Sequence, residues 1–99
     1  MIKHIKQTDF ENEVANKKVL VDFFATWCGP CKMLGLVLEK FDDKNIIPIL
    51  KIDIDESSDL ASQYNIFSVP TLIIFENGKE LKRITGFMNE EELEKWVNE

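Results

Sequence analysis

The 99-residue chain has one histidine, two cysteines and no long apolar segment. A membrane helix needs roughly 18 consecutive apolar residues, and no run here approaches that length. The opening residues, MIKHIKQTDFENEV, contain no apolar h-region, so we expect no signal peptide unless one has already been removed. Basic residues are outnumbered, with 12 Lys and Arg against 18 Asp and Glu, giving a formal net charge of −6. We therefore expect neither nucleic acid nor a membrane surface as a partner.

The composition is ordinary for a globular protein, with 44% hydrophobic and 30% charged residues. No repeat, low-complexity tract or linker divides the chain, so we predict one domain over residues 1–99, acting as a monomer. Without a signal peptide, the default compartment is the reducing cytoplasm. A permanent structural disulfide is rare there, and a C-x-x-C pair is more often redox-active or metal-binding.

Apolar periodicity and turn residues predict the order of helices and strands. Thr8 and Glu11 have capping-box spacing, which predicts a helix over residues 9–16. Residues 19–25 are nearly all apolar and β-favouring, typical of a strand covered on both faces. The other predicted elements are a short strand at 2–5, an amphipathic helix carried by Leu34, Val37, Leu38 and Phe41 with Pro30 in its first turn, a strand through Ile49, Ile52 and Ile54, a helix at 59–64 capped by Ser57 or Ser58, a strand at 71–75, an Asn77–Gly78 turn with a return strand at 80–85, and a helix opening at Asn89.

This order, a βαβαβ unit followed by an antiparallel hairpin strand and a C-terminal helix, predicts an α/β fold. Parallel strands joined by helices place those helices on the faces of the sheet, while the hairpin adds an antiparallel edge. We therefore expect a three-layer α/β/α sandwich around a mixed central sheet.

The two cysteines fall between a central strand and the amphipathic helix, at the sheet edge where open α/β folds keep their sites. Cys28 is expected at the first helical turn, where unpaired backbone N–H groups and the helix dipole favour thiolate over thiol. Cys31 follows one turn later on the same face and is less exposed. Cys28 is therefore the expected nucleophile, and Cys31 is expected to resolve the mixed disulfide.

A metal site is the alternative for a C-x-x-C pair. Tetrahedral zinc requires four ligands, or three with an open position, and this chain offers two cysteines and the distant His4. We therefore predict no metal site.

Asp22 and Lys51 are charged residues inside otherwise apolar predicted strands. Both could simply face water or form an ion pair. If Asp22 is buried beneath Cys31, its pKa is raised and it can accept the Cys31 thiol proton, with Lys51 as the partner that holds it. The pattern leaves these readings open.

The segment WCGPCK, preceded by VDFFAT and followed by KIDID, SVPTLIIFENGKE and Gly86, resembles the thioredoxin family over about residues 2–98. The resemblance implies the thioredoxin fold, a redox-active disulfide between Cys28 and Cys31, and the roles of buried acid and neighbouring lysine for Asp22 and Lys51. It also implies a cis peptide bond before Pro70, which is rare enough that no local signal predicts it.

The same resemblance implies a rim on which partner proteins dock and a set of partners. The implied substrate-binding residues are Trp27, Gly29, Pro30, Val69, Pro70, Gly86 and Phe87. The implied partners are disulfide-containing substrate proteins and a flavoprotein thioredoxin reductase, with no bound cofactor. Two positions depart from the family pattern: Leu36 replaces a proline that kinks the long helix, and Phe24 replaces a tryptophan found in many members.

We therefore predict a protein-disulfide reductase working by dithiol–disulfide exchange. A disulfide oxidase or isomerase on the same fold is one alternative. Gly29 and Pro30 place no positive charge or side-chain donor between the cysteines, which favours a reductant. The second alternative is a binding subunit that uses the apolar rim and not the thiols.

Overall fold

A computed structural model describes residues 1–99, and its five strands form one mixed sheet. In chain order the elements are β1 (Ile2–His4), a 3₁₀ turn (Gln7–Asp9), α1 (Phe10–Val14), β2 (Lys18–Phe24), α2 (Gly29–Asp42), β3 (Ile49–Asp53), α3 (Ser58–Gln63), β4 (Thr71–Glu76), β5 (Lys79–Thr85) and α4 (Glu90–Asn98). No helix is both long and apolar enough to cross a bilayer.

The sheet order is β1-β3-β2-β4-β5, which puts β2 at the centre. β3 runs parallel to β1 and β2, whereas β4 runs antiparallel to β2 and β5. The register places Asp22 opposite Lys51 of β3 and opposite Leu72 of β4. Two charged residues therefore meet in the middle of the sheet.

Helices cover both faces of the sheet because successive strand residues point to opposite sides. On one face, α2 and α4 pack on a core that includes Leu20, Leu34, Leu38, Phe41, Ile49, Ile74 and Leu93. On the other, α1 and α3 pack on a core that includes Phe10, Val14, Val21, Phe23, Ile52, Leu60 and Ile73. The predicted three-layer sandwich is confirmed.

The capping box predicted at Thr8 is wrong. Thr8 lies inside the 3₁₀ turn, and α1 begins after Asp9 with no side-chain cap. The reason is tertiary: the Gln7 N–H donates to Ser57 Oγ at 3.0 Å, while the Leu60 N–H donates to Gln7 Oε1 at 3.1 Å. These hydrogen bonds between residues far apart in the sequence determine where α1 begins. Ser57 does precede α3, but its hydroxyl accepts from Gln7 and does not cap that helix.

The long helix α2 runs without interruption past Gly35 and Leu36, and Leu36 is exposed to solvent. The Asn77–Gly78 turn is also as predicted, with φ of 52° and 82° at its two residues. Both angles lie in the left-handed region that a two-residue hairpin of this type requires.

The cap of α4 contrasts with the failed cap at Thr8. The Glu92 N–H donates to Asn89 Oδ1 at 2.8 Å, and the Asn89 N–H donates to Glu92 Oε1 at 3.0 Å. We predict that Asn89→Ala lowers the free energy of unfolding by about 1 kcal/mol, because the Glu92 N–H loses its side-chain acceptor. Urea unfolding measures the change. Thr8→Ala is the matched control and shifts stability by less than about 0.5 kcal/mol; equal effects of the two substitutions would contradict this assignment.

Candidate active site

Cys28 is the N-cap residue of α2, directly after the loop that leaves the central strand β2. Its Sγ accepts a hydrogen bond from the Cys31 N–H at an N···S distance of 3.2 Å, and Pro30 occupies the first turn. Proline costs little there because its missing N–H would have no helical partner. The helix start therefore directs a backbone donor at the Cys28 sulfur.

The Cys28 and Cys31 side chains form a disulfide, with their Cα atoms 5.2 Å apart. Cys28 keeps 6% of its surface exposed and Cys31 keeps 2%. The predicted order of accessibility is thus observed: Cys28 has a narrow opening to solvent, and Cys31 lies behind it.

The Val69–Pro70 peptide bond is cis, as the resemblance implied. The Val69 carbonyl oxygen lies 3.7 Å from Cys28 Sγ, so the loop before β4 faces the disulfide. The Gly86 N–H donates to the Pro70 carbonyl at 2.8 Å, and Gly86 has φ of 102°, a conformation that favours glycine. Pro70 and Gly86 are therefore joined behind the site.

Asp22 is completely buried, and neither carboxylate oxygen has a hydrogen-bond partner. It lies on the face of β2 that α2 covers, two residues from Leu20. Lys51 Nζ is 3.7 Å from Asp22 Oδ2, beyond hydrogen-bond distance, and acts through its charge. Burial raises the pKa of Asp22 from 3.8 to about 6, and the Lys51 charge partly opposes that rise. The carboxyl group can therefore take up and release a proton near neutral pH.

Lys51 has surroundings that the sequence pattern did not reveal. Its Nζ lies 4.6 Å from the centre of the Phe24 ring, a cation–π contact. A Cβ added to Gly35 would come within 3.3 Å of that Nζ, so the glycine gives the ammonium room beneath α2. A glycine inside an amphipathic helix was the only sequence signal for this close approach.

A mostly apolar groove runs beside Cys28, between the start of α2 and the loop before β4. Of the residues predicted to bind substrate, Trp27, Gly29, Pro30 and Val69 line it, while Pro70 is buried and Gly86 and the exposed Phe87 lie outside it.

Trp27 forms one side of the groove, and its Nε1–H donates to Asp55 Oδ2 at 2.8 Å. Phe67, which belongs to no sequence motif noted above, lines the same groove with 90% of its surface exposed.

Metal-ligand residues do not gather anywhere in the chain: no three His, Cys, Asp or Glu side chains form a cluster able to hold an ion. His4 lies on β1 with its ring edge against Phe24, 5.8 Å between centroids. Cys31 and Lys51 line one pocket, and Asp22 lies 3.7 Å from the Lys51 ammonium. Two cysteines with one acid and one lysine are a donor set that does not fit tetrahedral zinc.

A disulfide at a helix amino end, a buried acid of raised pKa and an adjacent apolar groove define a site for dithiol–disulfide exchange. Comparisons with known proteins agree with that class. The family model described as Thioredoxin matches residues 1–99. Thioredoxin from Chlamydia trachomatis is 44% identical over 99 residues, covering 99% of this chain and 97% of the relative. Thioredoxin from Staphylococcus aureus is 43% identical over 94 residues, covering 93% of this chain and 90% of the relative.

Among solved structures, a mutant thioredoxin from Halobacterium salinarum superposes with a TM-score of 0.89 at 35% identity. The match covers 98% of this chain and 88% of that one. The chain belongs to the thioredoxin family and is a thiol–disulfide oxidoreductase, a protein-disulfide reductase with a redox-active cysteine pair. Family membership implies a reductase and disulfide-bearing substrates as its partners in general.

Burial of Asp22 gives a signed prediction for stability. Because its folded pKa is raised, the folded state holds this proton more tightly than the unfolded chain, and stability falls as the pH rises from 3.8 through about 6. Asp22→Asn removes that loss, so we predict that it raises the free energy of unfolding by about 2 kcal/mol near pH 8 and by much less near pH 4.

Urea unfolding of the oxidised protein at both pH values measures this difference. Asp43→Asn changes an exposed carboxylate and is the matched control, expected to keep the wild-type pH dependence. A variant at Asp22 that is destabilised equally at both pH values would contradict the raised pKa.

Proposed function

We propose that this chain is a general reductant of protein disulfides in the cytoplasm, a single domain over residues 1–99 working as a monomer without a bound cofactor. The observation that carries the proposal is the Cys28 sulfur at the amino end of α2, beside an open groove. Cys31, nearly closed to solvent, lies within bonding distance behind it.

In the first step, the Cys28 thiolate attacks one sulfur of a substrate disulfide. A bond forms between Cys28 Sγ and that sulfur, the substrate S–S bond breaks, and the other substrate sulfur leaves as a thiolate that takes a proton from water. The helix-end N–H of Cys31, which already faces Cys28 Sγ, stabilises the attacking anion.

In the second step, Cys31 attacks Cys28 Sγ and releases the reduced substrate. Cys31 must lose its thiol proton as it attacks, and Asp22 is the proposed acceptor because its pKa of about 6 allows it to exchange a proton near neutrality. Lys51, whose Nζ lies 3.7 Å from Asp22 Oδ2, is proposed to limit the rise in the pKa of Asp22. Two electrons pass to the substrate, leaving the Cys28–Cys31 disulfide.

Substrate binding is proposed to occur on the rim around the disulfide. The backbone of Val69, next to Cys28, offers a pairing edge to an extended substrate segment. Trp27, Gly29 and Pro30 supply the apolar wall on the helix side. Pro70 and Gly86 hold the loop in place, and Phe87 extends the apolar surface.

The direction of electron flow follows from the charges near the sulfurs. Gly29 and Pro30 bring no cation to stabilise the thiolate of the reduced form, and the negative charge of Asp22 disfavours it. A less stabilised dithiol gives up its electrons more readily, which supports a reductant over an oxidase or isomerase. The oxidised chain then needs two electrons from outside, and we propose a flavoprotein thioredoxin reductase as their source.

We predict that the wild-type chain accelerates insulin reduction by dithiothreitol and that Cys28→Ser abolishes the acceleration, because the attacking sulfur is gone. Turbidity of the precipitating insulin chain follows the rate. Cys31→Ser is the matched variant: it retains the nucleophile and is expected to accumulate the mixed disulfide, visible by mass spectrometry. Equal turbidity rates for wild type and Cys28→Ser would overturn the reductase mechanism and favour a binding role.

Equilibration with glutathione tests the direction separately. The proposal predicts that the chain is mostly disulfide in an oxidising glutathione mixture. A chain left mostly dithiol there would support the oxidase or isomerase alternative.

A further inference from the structure

Phe67 is the most exposed aromatic side chain of the molecule, with 90% of its surface open to solvent. A lone exposed apolar residue is common, but this one shares a groove with Trp27, which is 69% exposed, and with Cys28. Two large exposed aromatic rings beside a reactive sulfur form an apolar surface that a bound segment would favourably remove from water.

The backbone around Phe67 is held on both sides. The Ile66 N–H donates to the Ala61 carbonyl at 2.9 Å, and Thr71 Oγ1 donates to the Ser68 carbonyl at 2.8 Å. Across the groove, Trp27 is tied to Asp55. The backbone that carries Phe67 and the Trp27 side chain are therefore both held in place. This lowers the entropy cost of binding a segment between the two rings.

We propose that Phe67 determines substrate specificity by binding an apolar, preferably aromatic, side chain located two residues from the substrate cysteine. This inference rests on the proposed reductase function. The occupant is an extended segment of the disulfide-bearing substrate, because the groove is continuous with the redox site: Val69, whose carbonyl contacts Cys28 Sγ, follows Phe67 by two residues.

The spacing follows from strand geometry. In an extended segment, residues two apart point to the same side. Since Phe67 and Val69 line the same groove, we expect that a residue two positions from a substrate cysteine beside Val69 reaches Phe67. The Asp55 carboxylate at the groove and the net charge of −6 disfavour an acidic segment, so uncharged or basic substrates fit.

Symmetric disulfide dimers of a short uncharged peptide test the proposal, since attack on either sulfur is then equivalent. One peptide carries serine at both positions two residues from the cysteine, and two others carry phenylalanine at one of them. The pre-reduced protein is mixed with each dimer, and stopped flow gives the rate constant of a single turnover. In each reaction the Cys28–Cys31 dithiol supplies two electrons and two protons, and two peptide thiols are released.

We expect wild type to react about tenfold faster with a phenylalanine peptide than with the serine peptide. Phe67→Ser removes the preference and leaves the rate on the serine peptide within about twofold. Leu81→Ser, at an exposed position on β5 outside the groove, is the matched control and keeps the preference. Thermal unfolding confirms that both variants fold.

A preference that persists in Phe67→Ser would overturn the proposal, as would equal rates of wild type on all three peptides. Either result leaves the proposed function standing. If wild type reduces none of the peptides and no insulin, the proposed function itself fails.

Discussion

The hydrogen bond from the Cys31 N–H to Cys28 Sγ is the interaction on which the site depends. It exists because Cys28 is the N-cap of α2. The helix begins there because a short loop leads out of the buried central strand β2 and Pro30 suits the first turn. The apolar face of α2 then anchors the helix on the sheet. A reactive sulfur is therefore held by the same packing that stabilises the fold.

Asp22 shows the opposite relation: its burial lowers the stability of the fold and provides a carboxyl group that can exchange a proton near neutral pH. A carboxylate with no hydrogen-bond partner in the middle of a sheet is costly to bury, and its pKa of about 6 records that cost. The Lys51 ammonium, 3.7 Å from Asp22, offsets part of that cost. It lies against the Phe24 ring, in space left by the missing side chain of Gly35. Phe24, which departs from the family pattern, therefore contacts the lysine ammonium as well as packing against the core.

Local signals in the sequence were enough for the layers, the hairpin and the position of both sulfurs, because periodicity, caps and turn residues act within a few positions of one another. The prediction at Thr8 was wrong because hydrogen bonds between Gln7 and residues distant in the sequence determine where that helix begins. The space that Gly35 leaves beside Lys51, and the exposure of Phe67 in the groove, depend on elements far apart in the chain. Apart from the glycine itself, no local pattern indicates them, and the cis bond before Pro70 was expected from family resemblance alone.

Alkylation of the dithiol form by iodoacetamide near neutral pH measures whether the helix end activates Cys28, with peptide mapping to separate the two sulfurs. The folded chain is compared with the unstructured peptide ATWCGPCK, which has the same local sequence and no helix. We predict that Cys28 in the folded chain reacts several-fold faster than in the peptide, and that Cys31 reacts more slowly than Cys28. If Cys28 reacts no faster in the folded chain than in the peptide, the helix end does not activate it, which contradicts the proposed role of α2.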